Sequence, residues 1–97
     1  VDLEAGRAAA RTCAVNVLAA LRAELGELSR VRRVVKVTGF VASTPGFTDH
    51  PKVVNAASEL FGEVFGDAGR HARAAVGVAA LPLGVPVEVE AIVEVEG

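Results

Sequence analysis

The chain contains no methionine, tryptophan or tyrosine, one cysteine (Cys13), two histidines (His50 and His71) and four phenylalanines in 97 residues. A single cysteine excludes an intrachain disulfide and the usual cysteine-rich zinc sites, and it fits a reducing, cytoplasmic setting. A chain without methionine has lost its initiator or is part of a longer gene product. The longest apolar stretches, such as Val76–Leu83, fall far short of the roughly 18 residues of a membrane helix, and the N-terminus shows no signal-peptide pattern. The formal charge is −2 with a pI near 5.6. No basic stripe is present for nucleic acid.

The chain is apolar enough to fold: 52% hydrophobic, 23% charged, mean hydropathy +0.43. These values exclude intrinsic disorder, and the length allows one domain, residues 1–97. A core of Val, Leu and Ala has few large side chains to lock it, so the chain gains from burying further area against a partner.

The spacing predicts a helix over 3–27. Ala10, Ala14, Val17, Leu21 and Leu25 form one stripe, with Asp2 as N-cap and Gly26 as the stop. Residues 31–42 are dense in valine and read as a strand, with Val35, Val37 and Val41 on one face and Lys36, Thr38 and Phe40 on the other. Arg30, Arg32 and Arg33 at its start read as a solvated rim or a phosphate site. A Pro45-Gly46 turn leads to a second helix from Pro51 to about Phe65, capped by Asp49 or His50, with an apolar stripe from Val53 to Phe65. A strand is expected at 72–80 and another at 87–96. In the last, Val87, Val89, Ala91, Val93 and Val95 alternate with Glu88, Glu90, Ile92, Glu94 and Glu96. Being close in sequence, these two strands are expected to pair antiparallel. The order helix, strand, helix, strand, strand describes an α+β layer. Its narrow sheet needs further strands or neighbouring subunits to cover its edges.

For chemistry, no spacing of His, Cys or carboxylates marks a metal site. No glycine-rich loop matches a dinucleotide or nucleotide fingerprint. Ser43, Ser58 and Cys13 have no spacing that pairs a nucleophile with a base. Cys13 beside the helical stripe reads as a small buried hydrophobe. Arg73 shares its strand face with Ala75, Gly77 and Ala79, which leaves room above the sheet for another subunit or for a ligand carboxylate, the anion that Arg grips in bidentate fashion. Glu88 opens a row of glutamates about 7 Å apart on one face. Such crowding raises carboxylate pKa values and suits proton handling where the face is enclosed, while a solvated outer face is the other reading.

The segment from Arg70 to Ile92 is an arginine-led strand of small residues, a Leu81-Pro82 turn and an alternating Val-Glu-Val-Glu-Ala strand. It resembles the C-terminal signature of the Rid, or YjgF, family, whose members also carry the name endoribonuclease L-PSP. Val35–Val41 resembles that family's central strand, and Asn55 sits where the family often has asparagine. The resemblance implies a chorismate-mutase-like α+β fold assembled as a homotrimeric barrel, with ligand clefts between subunits. It also implies cofactor-free hydrolysis of reactive enamines and imines such as 2-aminoacrylate to 2-oxo acids and ammonia. On that basis Arg73 anchors the substrate carboxylate and Glu88 positions water. The alternative is a trimer that binds a small carboxylate without turning it over. Ala75 replaces a cysteine found in many archetypes. The family's N-terminal strands have no counterpart ahead of the first helix, so the domain is expected to be N-terminally incomplete.

Overall fold

A computed structural model of the protein describes residues 2–96. The first helix, α1, spans Leu3–Leu25, and Asp2 caps it by accepting a hydrogen bond from the Ala5 N–H at 2.8 Å. Gly26, at φ 87°, ends the helix in a conformation that disfavours side chains. The strand β1 (Val31–Ala42) follows, then α2 (His50–Phe65), β2 (Ala72–Val78) and β3 (Val87–Val95). Both helices lie on one face of the sheet, α1 over β3 and α2 over β1 and β2. The core between the layers holds Ala10, Ala14, Val34, Val37, Val41, Val53, Val54, Ala57, Phe61 and Val87.

The sheet order is β2-β1-β3, with β1 parallel to β2 and antiparallel to β3. The expected pairing of the last two strands with each other does not form. The connection over residues 79–86 carries Pro82 and Pro86, which cannot donate to a hairpin ladder. Instead it crosses the C-terminal end of β1. There the Ala42 N–H donates to the Pro86 carbonyl at 2.9 Å and the Ser43 N–H to the Val78 carbonyl at 3.0 Å. The valine-rich β1 takes the central position, where a strand is most thoroughly covered.

The face assignment of β1 also needs correction. Its register against β3 shifts between Val31 and Arg33 and again between Val34 and Lys36. Each shift adds a residue to β1, and each extra residue reverses the alternation. Val34 is therefore buried with Val37 and Val41, while Val35 is only half-buried. The alternation in β3 is as expected as far as Val93: Val87, Val89, Ala91 and Val93 pack on the core, and Glu88, Glu90, Glu94 and Glu96 are exposed, whereas Val95, at the strand's end, is exposed as well. Of the arginine rim, Arg33 pairs with Glu94 across the strands at 3.4 Å and Arg30 donates to the Leu25 carbonyl at 3.0 Å, closing the end of α1.

Gly39 sets the distance between α2 and the sheet. A Cβ there would collide with both methyl groups of Val54, which is itself fully buried. A Gly39→Ala substitution is expected to cost about 1–3 kcal/mol by overpacking. In urea unfolding, its loss combined with that of Val54→Ala should be smaller than the sum of the two single losses, because the shorter side chain makes room for the new methyl.

Candidate functional site

The parallel pairing places Arg73 opposite Val37 and Ala75 opposite Gly39. Partners in register point to the same side of a sheet, so Arg73 faces the helix layer at the outer edge of β2. Its Nη1 donates to the Asn55 side-chain oxygen and, at 3.4 Å, to Ser58 Oγ. Asn55 and Ser58 are three apart on α2 and so present one face toward β2. Both are neutral acceptors, and none of the ion pairs among the described residues involves Arg73. The guanidinium is held in place while its charge stays uncompensated.

Beside it lies an open hollow of about 480 Å³, lined by Ser58, Gly62, Gly69, Arg70, His71 and Arg73. The lining holds two guanidinium groups and no carboxylate. Arg70 reaches its one acidic neighbour, Asp67, only at 3.9 Å and in full solvent, where such a pair contributes little. A small anion entering the hollow meets positive charge and directional donors.

The room expected above Ala75 and Gly77 is filled from within the chain. Ala75 packs against the core, and a Cβ on Gly77 would collide with His50 and Ser43. Open hollows lie at both ends of β2, one around Arg73 and one of about 340 Å³ beside His50, Ser43, Gly77 and Ala79. Each histidine pairs with a serine. His50 Nε2 lies 3.0 Å from Ser43 Oγ, with Phe47 edge-on to the His50 ring, and His71 Nε2 lies 2.9 Å from Ser58 Oγ. Spacing in the chain hides both contacts. Ser58 and His71 are 13 residues apart and meet only because α2 folds back over β2. A usable signal is present: Asn55 and Ser58 are uncharged polar residues three apart at the border of the apolar stripe of α2, and His71 and Arg73 are two apart at the entry to β2.

Glu88 lies elsewhere. It pairs with Phe40, on the side of the sheet away from the helices, and belongs to the opposite edge strand. Within one chain Arg73 and Glu88 cannot contact the same small molecule. Among the described residues, no group of three or more His, Cys, Asp or Glu side chains converges as a metal-ligand cluster, and no helix is long and apolar enough to cross a membrane.

Cys13 is half-buried, its thiol 3.4 Å from the Val87 carbonyl. Burial pushes the thiol above its ordinary value and the charge of Glu88 pushes the same way, against a backbone hydrogen bond from Val89 that favours the thiolate. The thiol therefore stays protonated in neutral water, where a thiolate is required for attack. Alkylation of Cys13 by iodoacetamide should be slower at pH 7.5 than that of a free thiol, accelerating only in more alkaline solution than the free thiol requires. Mass spectrometry of the modified peptide over a pH series reads this directly.

Two helices over one face of a mixed three-stranded sheet, with a hollow lined by two arginines where the second helix meets an edge strand, define the class of α+β protein to which this chain belongs. Residues 2–95 match the family described as "YjgF/chorismate mutase-like, putative endoribonuclease", and the chain is a member of that family. It is 57% identical over 90 residues to Protein TCP17 of Trypanosoma cruzi, covering 92% of this chain and 56% of that protein. The crystal structure of Atu1372 from Agrobacterium tumefaciens, a protein of unknown function, is similar with a TM-score of 0.98 at 52% identity, covering 100% of this chain and 62% of that one. A "putative endoribonuclease" from Shewanella oneidensis MR-1 is similar with a TM-score of 0.94 at 33% identity, covering 98% and 63%. The chain thus spans little more than half the length of its curated relative and under two thirds of these solved chains.

Proposed function

We propose that the protein is a cofactor-independent deaminase of small enamine and imine carboxylates, such as 2-aminoacrylate, and that Arg73 holds the substrate carboxylate. The observation that carries this reading is a guanidinium fixed by Asn55 and Ser58 but left without an anionic partner at the mouth of an acid-free hollow. Fixing the carboxylate there presents the adjoining carbon to water in a restricted orientation, which converts a chance encounter into a positioned one. Water activation falls to Glu88. Because Glu88 of the same chain lies across the sheet, the reading takes it from a neighbouring copy in a homotrimer. Both β2 and β3 leave an edge open for such a neighbour. The apolar Ile92 and Val76, on the uncovered face and exposed at 61% and 42%, are the kind of surface that a neighbour would bury.

A second reading is a trimer that binds a small carboxylate without chemistry. The separation of Glu88 from Arg73 within the chain favours it. RNA cleavage fits less well: the uncovered face carries Glu88, Glu90 and Glu94, and the net charge is −2, whereas phosphate backbones require a basic track.

Enzymatically generated 2-aminoacrylate separates the two readings. The wild-type protein should accelerate formation of the 2-oxo acid and ammonia. Arg73→Ala should lower kcat/KM about 10- to 100-fold, the equivalent of one charge-assisted hydrogen-bonded contact of about 1.5–3 kcal/mol. Carboxylate binding by calorimetry with no acceleration would leave the binder. Light scattering of the protein should return a trimer, and a monomer would remove the route by which Glu88 reaches the site.

A further inference from the structure

An enamine carboxylate is not open to water at carbon 2 until carbon 3 has taken up a proton. The group that supplies this proton must face the same hollow as the carboxylate anchor. The two arginines keep their protons, and the glycines have none to give. A serine hydroxyl passes a proton on only when another group replaces it. Of the lining residues this leaves His71, and imidazole is the side chain suited to taking and returning protons in neutral water.

The geometry sets which nitrogen does so. His71 Nδ1 lies 2.6 Å from the Gly69 carbonyl oxygen, which only accepts, so Nδ1 carries hydrogen in both charge states. Nε2 does the switching, and it faces Ser58 Oγ at 2.9 Å. In the neutral ring Nε2 accepts from the hydroxyl. In the charged ring it donates to Oγ, and the hydroxyl turns its own hydrogen toward the hollow. The ring is fixed on further sides. Phe61 meets it edge-on at 6.1 Å between centroids. Gly69 is buried so closely against the Phe61 carbonyl that a Cβ would collide there, which holds its own carbonyl in place. Arg73 donates to the same Ser58 oxygen, so the relay and the carboxylate anchor share one atom.

We infer that Ser58 and His71 form a proton relay that converts a bound enamine to its iminium form, an inference that rests on the deaminase reading. The imidazolium passes its Nε2 proton to Ser58 Oγ while the hydroxyl gives its own to carbon 3. The C2=C3 electron pair becomes the new C–H bond, and the nitrogen lone pair closes C2=N. Water then adds to carbon 2, giving its proton to Glu88 of a neighbouring copy, which releases it to solvent, and His71 takes one proton back from solvent. Collapse of the carbinolamine expels ammonia and leaves the 2-oxo acid. The sum is enamine plus water to 2-oxo acid plus ammonia, with the protein unchanged. Ser58 is the catalytic residue in this step, and His71 acts through it.

The relay serves protonation at carbon 3, so two substrates test it. 2-Aminoacrylate needs that proton, while a 2-imino acid released by an amino-acid oxidase already has its C=N bond. Ser58→Ala and His71→Ala should each lower kcat on 2-aminoacrylate about 100-fold, within the range for general acid–base groups. In His71→Ala, KM should stay within about threefold and hydrolysis of the imino acid should fall at least tenfold less than that of 2-aminoacrylate; Ser58→Ala also removes a contact from Arg73 and should lower both rates, that on 2-aminoacrylate more. Imidazole should restore part of the His71→Ala rate and none of the Ser58→Ala rate. His71→Gln preserves a hydrogen-bonding side chain opposite Ser58 and should be as slow as His71→Ala; its melting curve shows whether the fold is intact. Wild-type rates on 2-aminoacrylate in either histidine variant, or equal losses on both substrates in a folded His71→Gln protein, would overturn the relay and leave the deaminase reading standing. A wild-type protein inert toward both substrates would overturn that reading, and the relay with it.

Discussion

The contact on which the rest depends is Val54 seated directly on Gly39. A missing side chain in the central strand lets α2 come down onto the sheet and fixes its height and rotation. Asn55 follows Val54 in sequence, and Ser58 lies one turn further on. With Val54 held in the core, these two polar residues emerge at the border of the helix, over β2. The anchoring of Arg73 and the partner of His71 both follow from that placement. The site is a by-product of how closely a helix and a strand approach.

The parallel β1–α2–β2 unit explains why the chemistry collects on β2 rather than β3. A helix joining two parallel strands returns across both, so its last turns overhang the second strand. At one end of β2 the overhang is open and holds Arg73, Ser58 and His71. At the other, His50 at the start of α2 and Ser43 after β1 lie against Gly77 and line a second hollow that holds no arginine. Strand β3 lies beneath α1, whose inward residues Gly6, Ala10 and Ala14 are small and apolar. Its glutamates look away from both helices.

Much of this was legible from residues alone. The caps of α1, the apolar stripe of α2 and the alternation of β3 each state their element plainly, because each obeys a single local period. The family resemblance pointed to Arg73 and Asn55, which the fold brings into contact. What stayed hidden depends on non-local geometry. The two bulges in β1 exchange Val35 for Val34 in the core, and no local pattern announces a bulge. The placing of β1 between β2 and β3 follows from Pro82, Pro86 and the length of the connection taken together. The room expected over Gly77 is partly taken up by His50 and Ser43, because a glycine signals close approach without saying what approaches. Glu88 reads as the start of a glutamate row whose face is either enclosed or solvated, and spacing along one strand cannot tell which sheet face carries the arginine of another.

The sheet order also bears on how the chain reaches its native state. Each ladder joins distant residues, Lys36 with Ala72 and Val37 with Ala91, and among the described residues no hairpin is present to nucleate locally. Loop-closure entropy must be met before either partner of β1 rewards it, which places the domain among slow-folding topologies. During synthesis β1 emerges before both β2 and β3, and until they follow it lacks the two partners it has in the finished sheet. The interval is one in which a chaperone, or another nascent copy, has the first claim on that strand.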